Sequence, residues 1–135
     1  VFDVDVVSAE RRLFQGHASE VYARSVAGEI GLLKGHEPVL LALDISPLRL
    51  RFPDEDDLVV AVHGGVLELR DDRLTVLAEV AELADEIDLP RAEAALERAQ
   101  QRLREEPDSA HVRQLIARAE TRLRCVRGQV GGAAA

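Results

Sequence analysis

The chain has 135 residues, of which 47% are hydrophobic and 31% charged, and it carries a net charge of −8. That balance belongs to a folded globular chain rather than to a disordered or fibrous one. Its longest apolar runs are residues 39–43 and 58–62. A bilayer-crossing helix needs about 20 apolar residues, so no direct membrane insertion is expected. No secretory signal pattern opens the sequence as given, and the single cysteine, Cys125, suits a reducing compartment without an internal disulfide.

Charge is divided unevenly. Residues 1–88 hold 19 acids against 8 bases, whereas residues 89–135 hold 6 acids against 9 bases, all nine of them arginine. The second part is therefore the better candidate for meeting an anion or an acidic partner. Overall acidity and 3% aromatic content argue against nucleic acid, which calls for phosphate neutralisation and stacking surfaces.

The first part reads as strands. Phe2, Val4 and Val6 alternate with Asp3 and Asp5, the period of a half-buried strand. The glycines at 28 and 31 bracket Glu29 and Ile30 in what reads as a tight loop. The all-apolar runs 39–43 and 58–62 read as strands buried on both faces. Between them, Leu48, Leu50 and Phe52 fall on one face of a strand, with Arg49 and Arg51 on the other. Residues 53–57 form a polar turn, and Asp71-Asp72 is placed to turn a hairpin between Leu67, Leu69 and Leu74, Val76, Ala78. Short strands at this spacing predict an antiparallel sandwich or barrel with a core of Val, Leu and Ile.

After Asp88 the period lengthens. Leu89, Ala92, Leu96, Ala99 and Leu103 draw one apolar stripe along a helix, with Asp88 as N-cap and Pro90 in the first turn. Residues 106–109 form a loop, and Val112, Leu115, Ile116, Ala119, Leu123 and Val126 carry a second stripe ended by Gly128. Residues 131–135 read as a frayed tail. The fold class is thus β plus α: a sandwich over residues 1–86 and an antiparallel two-helix hairpin with its tail over residues 87–135. The alanine-rich stripes are narrow, so the hairpin needs a second surface and is suited to movement.

No metal spacing links His17, His36, His63 and His111, and no nucleophile elbow is present. Residues 28–35 approach a phosphate loop, but Lys34 is followed by Gly35 where that motif needs Ser or Thr. The chain is accordingly expected not to be an enzyme by itself. The arginines are more informative. At about 100° per residue, Arg91 and Arg98 lie to one side of the first stripe, and Arg118 and Arg122 to the same-handed side of the second. In an antiparallel pair these four share one side, with Asp88 at its open end. Two readings of that side stand: the arginines solvate the stripe edges and cover them with their stems, or they bind phosphate oxygens.

Several segments in order resemble the epsilon subunit of the F-type ATP synthase. Val4-Asp5-Val6-Val7-Ser8-Ala9-Glu10 with Leu13-Phe14-Gln15-Gly16 is similar to that family's opening. Gly28-Glu29-Ile30-Gly31-Leu32-Leu33-Lys34-Gly35-His36-Glu37-Pro38 resembles its G-E-x-G-x-x-P-G-H-x-P segment, with Lys34 in place of proline. His63-Gly64-Gly65-Val66-Leu67-Glu68 resembles its S-G-G-x-x-E segment, with His63 in place of serine.

The resemblance implies a non-catalytic rotor subunit at the cytoplasmic face of the cell membrane, peripheral and without cofactor requirement. Its sandwich would sit between the gamma subunit and the c ring, with Glu29 and His36 as contact candidates. Its hairpin would either pack on the sandwich or extend along gamma toward the alpha and beta subunits and block ATP hydrolysis. Ile87-Asp88-Leu89-Pro90-Arg91-Ala92 matches the I/L-D-x-x-R-A motif with which some bacterial members bind ATP. The resemblance then adds Glu82, Arg98, Arg118 and Arg122 as nucleotide contacts. A free-standing ATP-sensing module, or a docking adaptor braced by its hairpin, are the alternatives.

Overall fold

A computed structural model describes residues 1–130; the expected tail at 131–135 lies outside the described residues. Seven strands run in the order β2-β1-β7-β6-β5-β3-β4, and the eighth, β8, pairs with β6 along the same edge as β7 but at its other half. They are β1 (Phe2–Ser8), β2 (Arg12–Ala18), β3 (Glu20–Ser25), β4 (Gly28–Leu33), β5 (Val39–Arg51), β6 (Leu58–Arg70), β7 (Arg73–Ala78) and β8 (Ala81–Leu83). Two helices follow, α1 (Leu89–Glu105) and α2 (Ala110–Val126), after a single 3₁₀ turn at Ala84–Glu86.

The strands β5 and β6 have 13 residues each and serve both layers of the sandwich. The bend in β6 lies at Gly64 (φ 81°) and Gly65 (φ 139°). A Cβ on Gly65 would stand 2.3 Å from the Leu77 carbonyl oxygen, so only glycine fits. Upstream of the bend β6 pairs with β8, Val60 opposite Leu83 and Val62 opposite Ala81. Downstream it pairs with β7, Leu67 opposite Val76 and Leu69 opposite Leu74. One layer is therefore β2-β1-β7 with the downstream half of β6 and the first half of β5, and the other is β4-β3 with the second half of β5, the upstream half of β6 and β8.

The alternation in β1 translates directly into burial. Phe2, Val4 and Val6 enter the core while Asp3 stays out. Between the layers pack Leu32, Leu48, Leu50, Leu67, Leu69, Leu74, Val21, Val60 and Val62. Phe14 and Phe52 close one side, with ring centroids 5.4 Å apart. Asp71 and Asp72 turn the β6–β7 hairpin with both residues in the left-handed region, at φ 53° and 56°.

Four expectations are corrected. Residues 28–31 are not a loop but the start of β4, paired with β3 so that Glu29 lies opposite Arg24; the turn comes earlier, at residues 26–27. Residues 39–43 are not buried on both faces, because Leu40 is 68% exposed and Ala42 is exposed, no helix covering that half of β5. They are also continuous with the following strand rather than separate from it. Arg49 is buried rather than outward, its guanidinium 2.6 Å from Asp57 and 5.8 Å from the Tyr22 ring centre. In contrast Val60, Ala61 and Val62 are buried on successive positions, as the second run predicts.

The helices start where their caps stand. Asp88 accepts the Arg91 backbone N–H at 3.0 Å, and Ser109 accepts that of Val112 at 3.2 Å. Gly128, at φ 70°, follows the end of α2. Both helices bury Ala at their contact, Ala92 and Ala99 on α1 against the Val112, Ala119 and Leu123 stripe of α2. The second surface that the hairpin needs is the sheet. Thr121 and Cys125 are buried on the opposite side of α2, and Thr121 Oγ1 donates to the Ile45 carbonyl at 3.3 Å. Thus α2 lies between the sheet and α1.

Candidate functional site

Where β8, the 3₁₀ turn and the two helices meet, a concavity of about 390 Å³ opens. Its lining includes Glu82, Ile87, Asp88, Arg91, Ala92, Arg98 and Arg122, seven of the eight residues singled out in the sequence for nucleotide. The remaining one, Arg118, lines an adjoining groove of about 270 Å³ together with Arg98, Arg102 and Arg122. Arg118 Nε is buried there without a hydrogen-bond partner among the described residues. The helical phase that put four arginines on one side of the hairpin is thus realised in space.

Local structure explains each placement. Capping by Asp88 fixes the first turn of α1, which sets Arg91 on the rim and buries Ala92 in the contact with α2. One helical stretch further on, Arg98 falls on the same side. Glu82 comes from β8, held by pairing with Ala61 on β6. Arg122 comes from the edge of α2 and places its Nε 2.7 Å from Glu82 Oε1.

Three residues that sequence reasoning did not assign are part of the arrangement. His63, only 1% exposed, places Nε2 2.7 Å from the same Glu82 Oε1. Glu86 lines the concavity, and Arg11 grips it with two guanidinium nitrogens at 2.6 and 3.1 Å. The only sequence signal for His63 was its position ahead of Gly64-Gly65. None pointed to Arg11, whose partner is 75 residues away.

Electrostatics follow from these contacts. The carboxyl of Glu82 is held down to about 2, chiefly by the hydrogen bond from His63, which outweighs the opposing effect of partial burial, with the Arg122 hydrogen bond adding to it. An ionised Glu82 requires a proton on His63 Nε2, which therefore donates. Glu86 is likewise lowered by Arg11, whose own guanidinium is held charged. Arg91, Arg98, Arg118 and Arg122 remain as cationic groups around the opening, and Arg122 alone of these has a recorded carboxylate partner among the described residues. The arrangement is chemically suited to a polyanion with a hydroxyl-bearing or apolar portion near Ile87 and Ala92.

The contact candidates on the sandwich are not brought together. Glu29 lies exposed near the start of β4, whereas His36 is exposed beyond its end, in the connection to β5. That connection is tied by Asp72, whose Oδ1 accepts the Gly35 N–H at 2.7 Å.

Residues 1–84 match the family described as ATP synthase, Delta/Epsilon chain, beta-sandwich domain, and residues 85–127 its long alpha-helix domain. The chain belongs to the ATP synthase delta/epsilon family. The ATP synthase epsilon chain of Streptomyces avermitilis is 45% identical over 123 residues, which cover 91% of this chain and 93% of that one. The epsilon chain of an Exiguobacterium species is 46% identical over 102 residues, covering 76% and 75%. Among solved structures, a chain of the Euglena gracilis mitochondrial ATP synthase shares the fold with a TM-score of 0.70 at 20% identity, covering 93% of this chain and 77% of that one. The sandwich and the helical pair described above thus correspond to the two parts of an epsilon chain. No helix among the described residues is long and apolar enough to cross a membrane.

Proposed function

We propose that this chain is a non-catalytic rotor subunit, coupling proton flow to ATP synthesis through its sandwich and restraining ATP hydrolysis through its hairpin. The observation that carries this reading is that the sandwich and the hairpin line the arginine-rimmed concavity jointly, so its formation depends on docking. Its walls come from β8, the 3₁₀ turn, α1 and α2 together. A ligand bound there favours the docked hairpin by its differential affinity for that state. The ligand that fits four guanidiniums and the Ile87–Ala92 motif is ATP, acting as a regulator and not as a substrate.

The sandwich supports docking on a shaft. Leu40 and Leu77 are 68% and 56% exposed, and Val66, opposite both Ala42 and Leu77, is 41% exposed. They form an uncovered apolar face on β5, β6 and β7, which we assign to the gamma subunit. His36 and Glu29 are assigned to the c ring, from two separate positions. The net positive hairpin is matched to acidic regions of the alpha and beta subunits. On this reading the chain sits peripherally at the cytoplasmic face of the membrane as part of the assembled complex.

Calorimetric titration tests the nucleotide part. Arg91→Ala or Arg122→Ala is expected to weaken ATP binding by about tenfold or more, the cost of losing a charge-assisted hydrogen bond. Absence of heat from the intact chain at millimolar ATP rejects that assignment. Co-purification of gamma tests the rotor part, and truncation after Asp88 in the assembled enzyme tests the brake: unchanged ATP hydrolysis removes it.

A further inference from the structure

We infer that His63 is a positioning residue, which aims Glu82 at Arg122 and so completes a latch that holds the hairpin on the sandwich without any nucleotide. This inference rests on the reading of the hairpin as a mobile regulatory element, and it concerns how that element is retained.

The geometry has three members on three elements. His63 stands on β6 and Glu82 on β8, both in the sandwich, whereas Arg122 stands on α2. Both nitrogens reach the same oxygen, Glu82 Oε1, at 2.7 Å. The imidazole has no choice of partner: it is buried, its Nδ1 has none among the described residues, and Nε2 is its only anchored atom. Glu82 by contrast is 31% exposed along its side chain, so without His63 it is free to turn toward water and leave Arg122. A fixed imidazole therefore converts a surface carboxylate, whose pairing with arginine is normally weak, into an oriented one.

The other groups facing this carboxylate do not replace the imidazole. Arg11 is engaged with Glu86, Glu86 is itself an anion, and Cys125 on α2 is a protonated thiol, pushed up to about 12 by burial. Apart from Thr121 and the Ile45 carbonyl, the latch is the only recorded side-chain hydrogen bonding between α2 and the strands among the described residues. Because Arg122 is held by an internal anion, the docked state is complete before any ligand arrives.

Amide hydrogen exchange on the nucleotide-free chain, with His63→Ser and His63→Gln, tests this. His63→Ser is expected to speed exchange of the α2 amides about tenfold or more, the factor for losing one charge-assisted hydrogen bond. Amides in the Val4–Leu74 part of β1 and β7, at the opposite end of these strands from His63, should not change. His63→Gln keeps a donor and should restore part of the protection. The pH at which acid releases α2 should rise in His63→Ser, because the strongest influence holding Glu82 ionised has gone. Equal α2 protection in wild type and His63→Ser, or a parallel rise in those β1 and β7 amides, overturns the latch. If ATP alters α2 exchange in neither protein while the variants differ as stated, the latch stands and the nucleotide reading fails.

Discussion

Neutralising Glu82 is the most informative single perturbation, because one oxygen joins the sandwich to the hairpin. In the docked state the carboxyl titrates at about 2 against an ordinary 4.5. Each unit of displacement is worth about 1.4 kcal/mol. The largest part of the lowering comes from His63, which stands beside Glu82 on the sandwich whether or not the hairpin is docked, so only the Arg122 share favours docking at neutral pH. That share is one charge-assisted hydrogen bond to a partly exposed carboxylate, worth about 2 kcal/mol. The sign is fixed by the direction of the shift. A lowered carboxyl stabilises docking above its undocked value, and that stabilisation drains away as pH falls toward 2.

Glu82→Gln keeps the shape and an acceptor oxygen but removes the charge. At pH 7 its α2 amides should exchange roughly 30-fold faster than wild type, the ratio equivalent to about 2 kcal/mol. Between pH 4.5 and pH 2 that ratio should shrink toward unity, since the wild-type carboxylate is then neutralised by solvent instead. A ratio that stays constant across this interval would mean that Glu82 contributes by packing rather than by charge, and the electrostatic account of docking would be wrong.

Other expectations can be checked independently. Cys125 should resist thiol reagents at pH 8, since burial raises its thiol to about 12, and Glu82→Gln should accelerate labelling in proportion to hairpin opening; labelling of the wild type at the rate of a free thiol would contradict α2 being seated on the sheet. Gly65→Ala drives a Cβ to 2.3 Å from a backbone oxygen at φ 139°, so the sandwich should lose at least about 2 kcal/mol and roughly 8 °C in Tm by calorimetry. Asp72→Asn keeps an acceptor in a left-handed position, whereas Asp72→Gly keeps only the conformation; exchange at the Gly35 amide should rise in the glycine variant alone.

Much of this architecture is legible in the sequence because its cause is local. Alternation at Phe2, Val4 and Val6 needs only period two, and the starts of α1 and α2 need only Asp88 and Ser109 ahead of apolar stripes. The side shared by Arg91, Arg98, Arg118 and Arg122 follows from helical phase once the two helices are known to be antiparallel. What stays hidden depends on contacts between distant segments. The sheet-facing side of α2 carries Thr121 and Cys125, which have no hydrophobic signature, so only the stripe toward α1 is visible beforehand. Exposure of Leu40 could not be read from an apolar run, because coverage depends on where α2 lies. His63 resembles any other strand histidine until Glu82, 19 residues on, is placed beside it by the β6–β8 pairing.

The same small residues that conceal the α2 interface determine how it can behave. Thr121 and Cys125 bury little apolar area compared with the leucines and valines between the sheets, so hydrophobic docking is shallow at about 25 cal/mol per Å². Against that shallow background a latch of about 2 kcal/mol is a large share of the preference for the docked state. A ligand present at a hundred times its dissociation constant adds about 2.7 kcal/mol to the state it binds. Together the two approach the roughly 5.5 kcal/mol that separates a population of 1:99 from one of 99:1. On the proposed reading the protein's own anion holds the docked state and ATP deepens that preference, so a rotor partner competing for the freed α2 face meets the smaller barrier when no nucleotide is bound. A core-like α2 interface, built of leucine instead of threonine and cysteine, would make the docked state permanent and leave the arginines with nothing to regulate.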